Sequence, residues 1–195
     1  MSKTENFDGK AIIFSAPSGA GKTSIVHSLL KNNLNLEFSI SACTRSKRTN
    51  EIHGKDYYFV SVNEFKKKIN AAEFIEWEEV YKNNYYGTLK NEIHRIWRNN
   101  NHVIFDVDVE GGINLKNYFQ DKSLSIFISP PSIEELKNRL ILRESEKLND
   151  LENRINKAKK EMEYQTNFDK VILNDILEKA CDNANKLIQD FLNSK

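Results

Sequence analysis

The stretch Ala16, Pro17, Ser18, Gly19, Ala20, Gly21, Lys22 and Thr23 constrains this chain more than any other. It follows an apolar run at residues 11–14 and precedes a helix-patterned run at 24–30. A short apolar strand, a glycine-rich turn and an amphipathic helix form the setting in which consecutive backbone N–H groups converge on phosphate oxygens. The loop reads as a nucleoside triphosphate site, with a solvated turn ahead of a helix as the plainer alternative. Lys22 supplies a mobile point charge for the outer phosphates, and the Thr23 hydroxyl is placed to coordinate the Mg²⁺ that bridges them. The usual pattern begins with glycine, and here the first position is Ala16. That change matters only if the backbone there needs a positive φ.

Length and charge narrow the field. A chain of 195 residues fits one domain with a real core and room for an insert. Its 29 basic and 28 acidic residues leave a net charge of +1, which argues against a general nucleic-acid or membrane-surface binder. Cys43 and Cys181 suggest neither a disulfide framework nor a metal site. Residues 1–6 lack the apolar segment of a secretory leader, and no stretch approaches the roughly 20 apolar residues that span a bilayer. The expected location is the cytoplasm, without nucleic-acid or membrane partners; a homo-oligomer stays open.

Downstream, alternation predicts a strand over 36–41 that carries Ser41 to its end. The polar loop 43–51 follows, where Arg45 and Arg48 read as a clamp for a second phosphate, or else as solvated surface. Strands are expected at 57–60 and 74–81, with a further segment at 84–88. A capping box at Ser61 and Glu64 opens a short helix at 65–69. Together these suggest a substrate-binding insert over about 41–88. The α/β rhythm then resumes with a helix at 89–98 and a strand at 102–108. That strand is apolar until Asp106 and Asp108, one or the other of which reads as a partner for Mg²⁺ or substrate at a strand's C-terminal end, with helix caps as the alternative. A strand at 124–128, a second capping box at Ser132 and Glu135, a charged segment and helix through 164, a strand at 170–173 and a helix at 176–192 complete a three-layer α/β fold with parallel strands.

A phosphate loop alone does not distinguish a GTPase switch, a motor, a small-molecule kinase or an inactive binding module. The full set of motifs does, because this chain closely resembles the guanylate kinases. The resemblance rests on residues 15–23, Thr44 to Arg48, Gly54 to Tyr57, Glu73 to Trp77, Tyr85 to Thr88, Asp106 to Asp108, and Val171 to Asp175, in the family's order and over nearly the whole chain. It implies a P-loop NTPase core (8–40, 89–138 and 155–195), a GMP-binding subdomain (about 41–88) and a mobile lid (about 139–154). It also implies Mg²⁺-dependent phosphoryl transfer from ATP to GMP or dGMP.

By the same resemblance, Arg45, Arg48, Tyr57 and Tyr86 hold the GMP phosphate. Glu76 accepts from guanine N1–H and the 2-amino group, while Ser41 and Thr88 meet the base. Asp108 lies near GMP and the metal, Arg139, Arg143 and Arg154 neutralise the transferring group, and Asn174 meets the adenine of ATP. The sequence departs from the family at Glu144 in the lid, at Glu110, often Gln, and at Cys43, where a hydroxyl residue is common. A guanylate-kinase-like protein-binding module is the alternative from another class, and a kinase for a different monophosphate is the second rival.

Overall fold

The computed structural model describes residues 7, 9–142 and 148–194. Its elements run β1 (Ala11–Ser15), α1 (Lys22–Leu29), β2 (Leu36–Phe38), β3 (Ala42–Cys43), β4 (Tyr58–Phe59), α2 (Val62–Asn70), β5 (Phe74–Tyr81) and β6 (Asn84–Leu89). They continue α3 (Lys90–Arg98), β7 (His102–Val107), α4 (Val109–Phe119), β8 (Ser123–Ser129), α5 (Ile133–Leu142), α6 (Leu148–Glu163), β9 (Lys170–Leu173) and α7 (Leu177–Asn193). The main sheet has the order β2-β7-β1-β8-β9 and is parallel throughout.

Period-two alternation in β1 builds the three layers. Ile12 and Phe14 point to one face, where Ile25, Val26 and Leu29 of α1 meet Ala180, Ala184 and Ile188 of α7. Ala11 and Ile13 point to the other face, against Ile93 and Ile96 of α3 and Leu115 and Phe119 of α4. All five residues of β1 are buried, as its unbroken apolar run requires of a central strand covered on both sides.

The insert forms a second sheet, β4-β3-β6-β5, over a core of its own in which the Phe65 ring stacks on Phe74 at 4.4 Å and packs beside Tyr85 at 5.4 Å. The serine caps of both boxes form: Ser61 Oγ accepts from Glu64 N at 3.1 Å, and Ser132 Oγ from Glu135 N at 3.0 Å.

The expected strand over 36–41 is broken. Strand β2 ends at Phe38, Ser39 N donates to Ile104 O at 3.0 Å, and Ile40 N then turns to the Glu92 carboxylate at 3.1 Å. The alternation persists in the letters because the chain stays largely covered while passing from one sheet to the other. Ser41 thus sits in the crossing, just ahead of β3. Helix α4 begins after Asp108, in line with the reading of that residue as a helix cap, although Gly111 and Gly112 in its first turns lower helix propensity. A Cβ at Gly112 would stand 3.0 Å from the Phe168 ring and 3.2 Å from Ser15 Cβ, so close packing explains the glycine.

Phe65→Ala removes the centre of the insert's core. It should lower the stability read by denaturant unfolding by about 3–5 kcal/mol, the cost of a phenylalanine-sized cavity.

Candidate active site

The turn after β1 folds as a phosphate loop because two glycines supply left-handed conformations, Gly19 at φ 92° and Gly21 at φ 91°. Among the described residues, positive φ outside glycine occurs only at Asn35, Ala72, Asn83, Asn100 and Gln120. Ala16 therefore adopts ordinary backbone angles, and its departure from the glycine pattern is harmless. Lys22 forms an ion pair with Asp106 and donates to Val107 O at 2.5 Å, while Thr23 Oγ1 donates to Asp106 Oδ2 at 2.6 Å. Burial works against ionisation of Asp106, but the Lys22 ammonium and the Thr23 hydroxyl outweigh it and hold the carboxyl below its ordinary range. A hydroxyl and a carboxylate side by side are hard oxygen donors of the kind Mg²⁺ takes.

A cavity of about 400 Å³ opens from this loop toward the insert. Residues 16–23 line one wall, and Ser41, Tyr57, Glu76 and Tyr86 line the facing one. Glu76 is held by Thr88, whose fully buried hydroxyl donates to Glu76 Oε1 at 2.6 Å. Burial pushes the Glu76 carboxyl up to about 7, the negative Asp108 adds to this, and the Thr88 hydrogen bonds oppose it. Burial also raises Tyr57 and Tyr86, so both remain phenols with an O–H to donate. Asp108 serves two ends: it lines the cavity and caps α4, accepting from Gly111 N at 2.9 Å.

The remaining expected residues are spread out. Arg45 meets Tyr86 Oη through Nε at 3.1 Å, and its fork is held by Glu51. Arg48 is exposed. Arg139 pairs with Glu135 at 2.9 Å and donates to Asn174 O at 3.2 Å, away from the cavity. Asn174 is buried behind the phosphate loop rather than in the cavity, donating from Nδ2 to Ala20 O at 2.7 Å. Arg154 reaches in from α6 and donates to Ser18 Oγ at 2.5 Å. Arg143, with Glu144 and Ser145, lies outside the described residues.

A family model described as guanylate kinase matches residues 8–191. A guanylate kinase of Bacteroides thetaiotaomicron is 49% identical over 96% of this chain and 92% of its own length. One from Porphyromonas gingivalis is 47% identical over 94% and 98%. The crystal structure of guanylate kinase from Anaplasma phagocytophilum superposes with a TM-score of 0.78 at 27% identity, covering 96% of this chain and 88% of that one. A shikimate kinase from B. thetaiotaomicron, at 14% identity and a TM-score of 0.51, shares the fold.

The chain belongs to the guanylate kinase family.

This guanylate kinase family member also lines its cavity with residues the sequence did not single out: Glu78, Val80, Gly111, Lys157 and Glu161. Lys157 and Glu161 stand one helical turn apart at 3.7 Å, a spacing visible in the sequence, but nothing there says which face of a charged helix turns inward. Burial and the neighbouring Asp108 and Glu110 push Glu78 well above the carboxylate range. Cys43 is fully buried in β3 with its thiol pushed up by burial, so it behaves as a small apolar residue of the insert. Thr88→Val keeps the shape of the side chain and deletes the donor to Glu76. It should raise the Glu76 pKa above its about 7, measured by carboxyl carbon NMR titration.

Proposed function

We propose that this protein transfers the γ-phosphoryl group of ATP to GMP, and to dGMP, giving ADP and GDP. The observation that carries the reading is Glu76, a largely buried carboxylate fixed by Thr88 on the cavity wall opposite the phosphate loop. Guanine offers two donors on one edge, N1–H and the 2-amino group, and a carboxylate accepts both. Adenine offers a lone pair at N1 and no 2-amino group. A buried acceptor would then face an acceptor, and sites built around such hydrogen bonds discriminate by about 10⁴-fold or more.

On this reading the loop amides, Lys22 and the Thr23 hydroxyl receive the triphosphate, with Asn174 bracing the loop from behind. Thr23 and Asp106 would hold Mg²⁺, which when bound neutralises charge on the outer phosphates. Arg45, Arg48, Tyr57 and Tyr86 hold the GMP phosphate, Ser41 donates to O6, and Asp108 lies beside the acceptor. Arg139, Arg143 and Arg154 converge on the transferring group as the segment about 139–154 closes over the core formed by 8–40, 89–138 and 155–195. The attacking phosphate oxygen is already anionic, so no general base is needed, and catalysis consists of positioning and charge neutralisation. The cytoplasm is the compartment that supplies such nucleotides, and no helix among the described residues is long and apolar enough to cross a membrane.

The test is ADP formation from Mg·ATP with GMP, dGMP, AMP, UMP or CMP offered separately, and turnover confined to the guanine nucleotides is expected. Glu76→Gln should cut kcat/KM for GMP by at least about a hundredfold while moving the KM for ATP by less than about threefold, since Gln turns a donor toward a donor. The Glu76 carboxyl is raised to about 7, so its ionised, accepting form fills in as pH climbs through that value. Guanosine, which carries no titrating phosphate, should therefore bind about tenfold more tightly at pH 8 than at pH 6, measured by calorimetry. A flat pH profile would remove Glu76 from base recognition.

A further inference from the structure

Arg45 is the one expected phosphate ligand whose guanidinium is already almost fully engaged, and the way it is engaged has a stereochemical consequence. Its Nη1 donates to Glu51 Oε2 at 2.6 Å and its Nη2 to Glu51 Oε1 at 2.5 Å, a two-point pair across the end of the fork. Nη1 also donates to Ser46 O at 3.1 Å. A guanidinium has a second two-point edge along its side, made by Nε–H and the remaining Nη2 hydrogen. On that edge Nε meets Tyr86 Oη at 3.1 Å. The plane of the group is fixed by the Tyr57 ring, 4.9 Å from the guanidinium carbon, and by Phe59 at 5.6 Å. Tyr57 and Tyr86 line the cavity, while Arg45 and Glu51 stand behind these two rings.

Glu51 is itself anchored. The Arg48 backbone N–H donates to its Oε2 at 2.8 Å, and Lys47 Nζ donates to its carbonyl at 2.9 Å. Both partners of the pair are mostly buried, with 15% and 16% of their side chains exposed, which sets it apart from surface ion pairs of small effect. The Arg45 hydrogen bonds hold the Glu51 carboxyl at about 2, so the charge is present throughout the neutral range.

We infer that Glu51 is a positioning residue for the acceptor phosphate: by occupying the end of the Arg45 fork it holds the guanidinium against Tyr57 and Tyr86, so that the remaining Nη2 hydrogen and the Tyr86 hydroxyl are left for a dianionic phosphate entering the cavity that both tyrosines line. This inference rests on the reading of GMP as acceptor. It assigns to Glu51 the preorganisation of Arg45, so that the arginine loses little rotamer freedom when the phosphate arrives.

The test compares the full-length protein with Glu51→Gln and Glu51→Asp, using GMP and guanosine as paired probes in calorimetry and GMP in steady-state turnover. Glu51→Gln should raise Kd and KM for GMP on the order of tenfold, the size of one lost charge-assisted hydrogen bond. The kcat should stay within about threefold and guanosine affinity within about twofold, because neither the reacting group nor the base pocket is touched. Glu51→Asp, which keeps the charge one methylene short, should recover part of the GMP affinity. Unchanged GMP binding in Glu51→Gln would overturn the inference. Tighter GMP binding would also overturn it, by making Glu51 a competitor of the phosphate. Equal loss of guanosine and GMP affinity would do the same, by reducing Glu51 to a structural brace of the loop. A wild-type protein that turns over no GMP would bring down the proposed function and this inference with it. Normal wild-type turnover with an indifferent Glu51→Gln would bring down the inference alone.

Discussion

The pairing of Lys22 and Thr23 with Asp106 ties the phosphate loop to the end of the neighbouring parallel strand. A loop that offers its backbone amides to a ligand cannot use them to stabilise itself. It is held instead by its side chains and from behind: Lys22 and Thr23 clasp Asp106, and Asn174 donates into the loop at Ala20. Each of these partners sits at or beyond the C-terminal end of a strand, β7 for Asp106 and β9 for Asn174. The parallel order of the sheet is what makes those ends adjacent, and the covered β1 at its centre makes them rigid.

The insert answers this wall with a different kind of chemistry. Its side of the cavity carries a carboxylate that burial makes reluctant to ionise and two phenols that burial keeps protonated, and behind the phenols stands an arginine already balanced by an internal anion. The loop side offers backbone amides and an ammonium, suited to phosphates. The insert side offers acceptors for a base edge and donors for one further phosphate. Two dissimilar half-sites facing each other across about 400 Å³ suit the passage of a group between two nucleotides held phosphate to phosphate, and a single binding site would not need both.

Wherever a local rule of backbone chemistry sufficed, the sequence was legible. The glycine pattern of the loop, the two serine caps and the strands β5 and β9 stand where periodicity and turn chemistry put them. The break after Phe38 was invisible because the letters alternate straight through it, and only the competing partners Ile104 and Glu92 show that the chain changes sheets. Helix α4 was signalled only by its Asp108 cap, since Gly111 and Gly112 weaken its helical pattern while their lack of side chains serves packing against Phe168 and room beside Glu76. The Asp108 alternatives were not exclusive, since one carboxylate both caps α4 and faces the cavity.

By itself the sequence determined the fold class, the phosphate loop and the family, because these depend on residues close together in the chain whose spacing has a direct backbone meaning. Tertiary structure alone decided which charges face one another: that Thr88 is bound to Glu76, that Asn174 stands behind the loop, that Lys157 and Glu161 turn inward, and that Glu51 closes the fork of Arg45. The physical reason is that electrostatic roles follow from distance and burial. Both are set by which strands, loops and helices the fold brings together, which residue spacing alone does not encode.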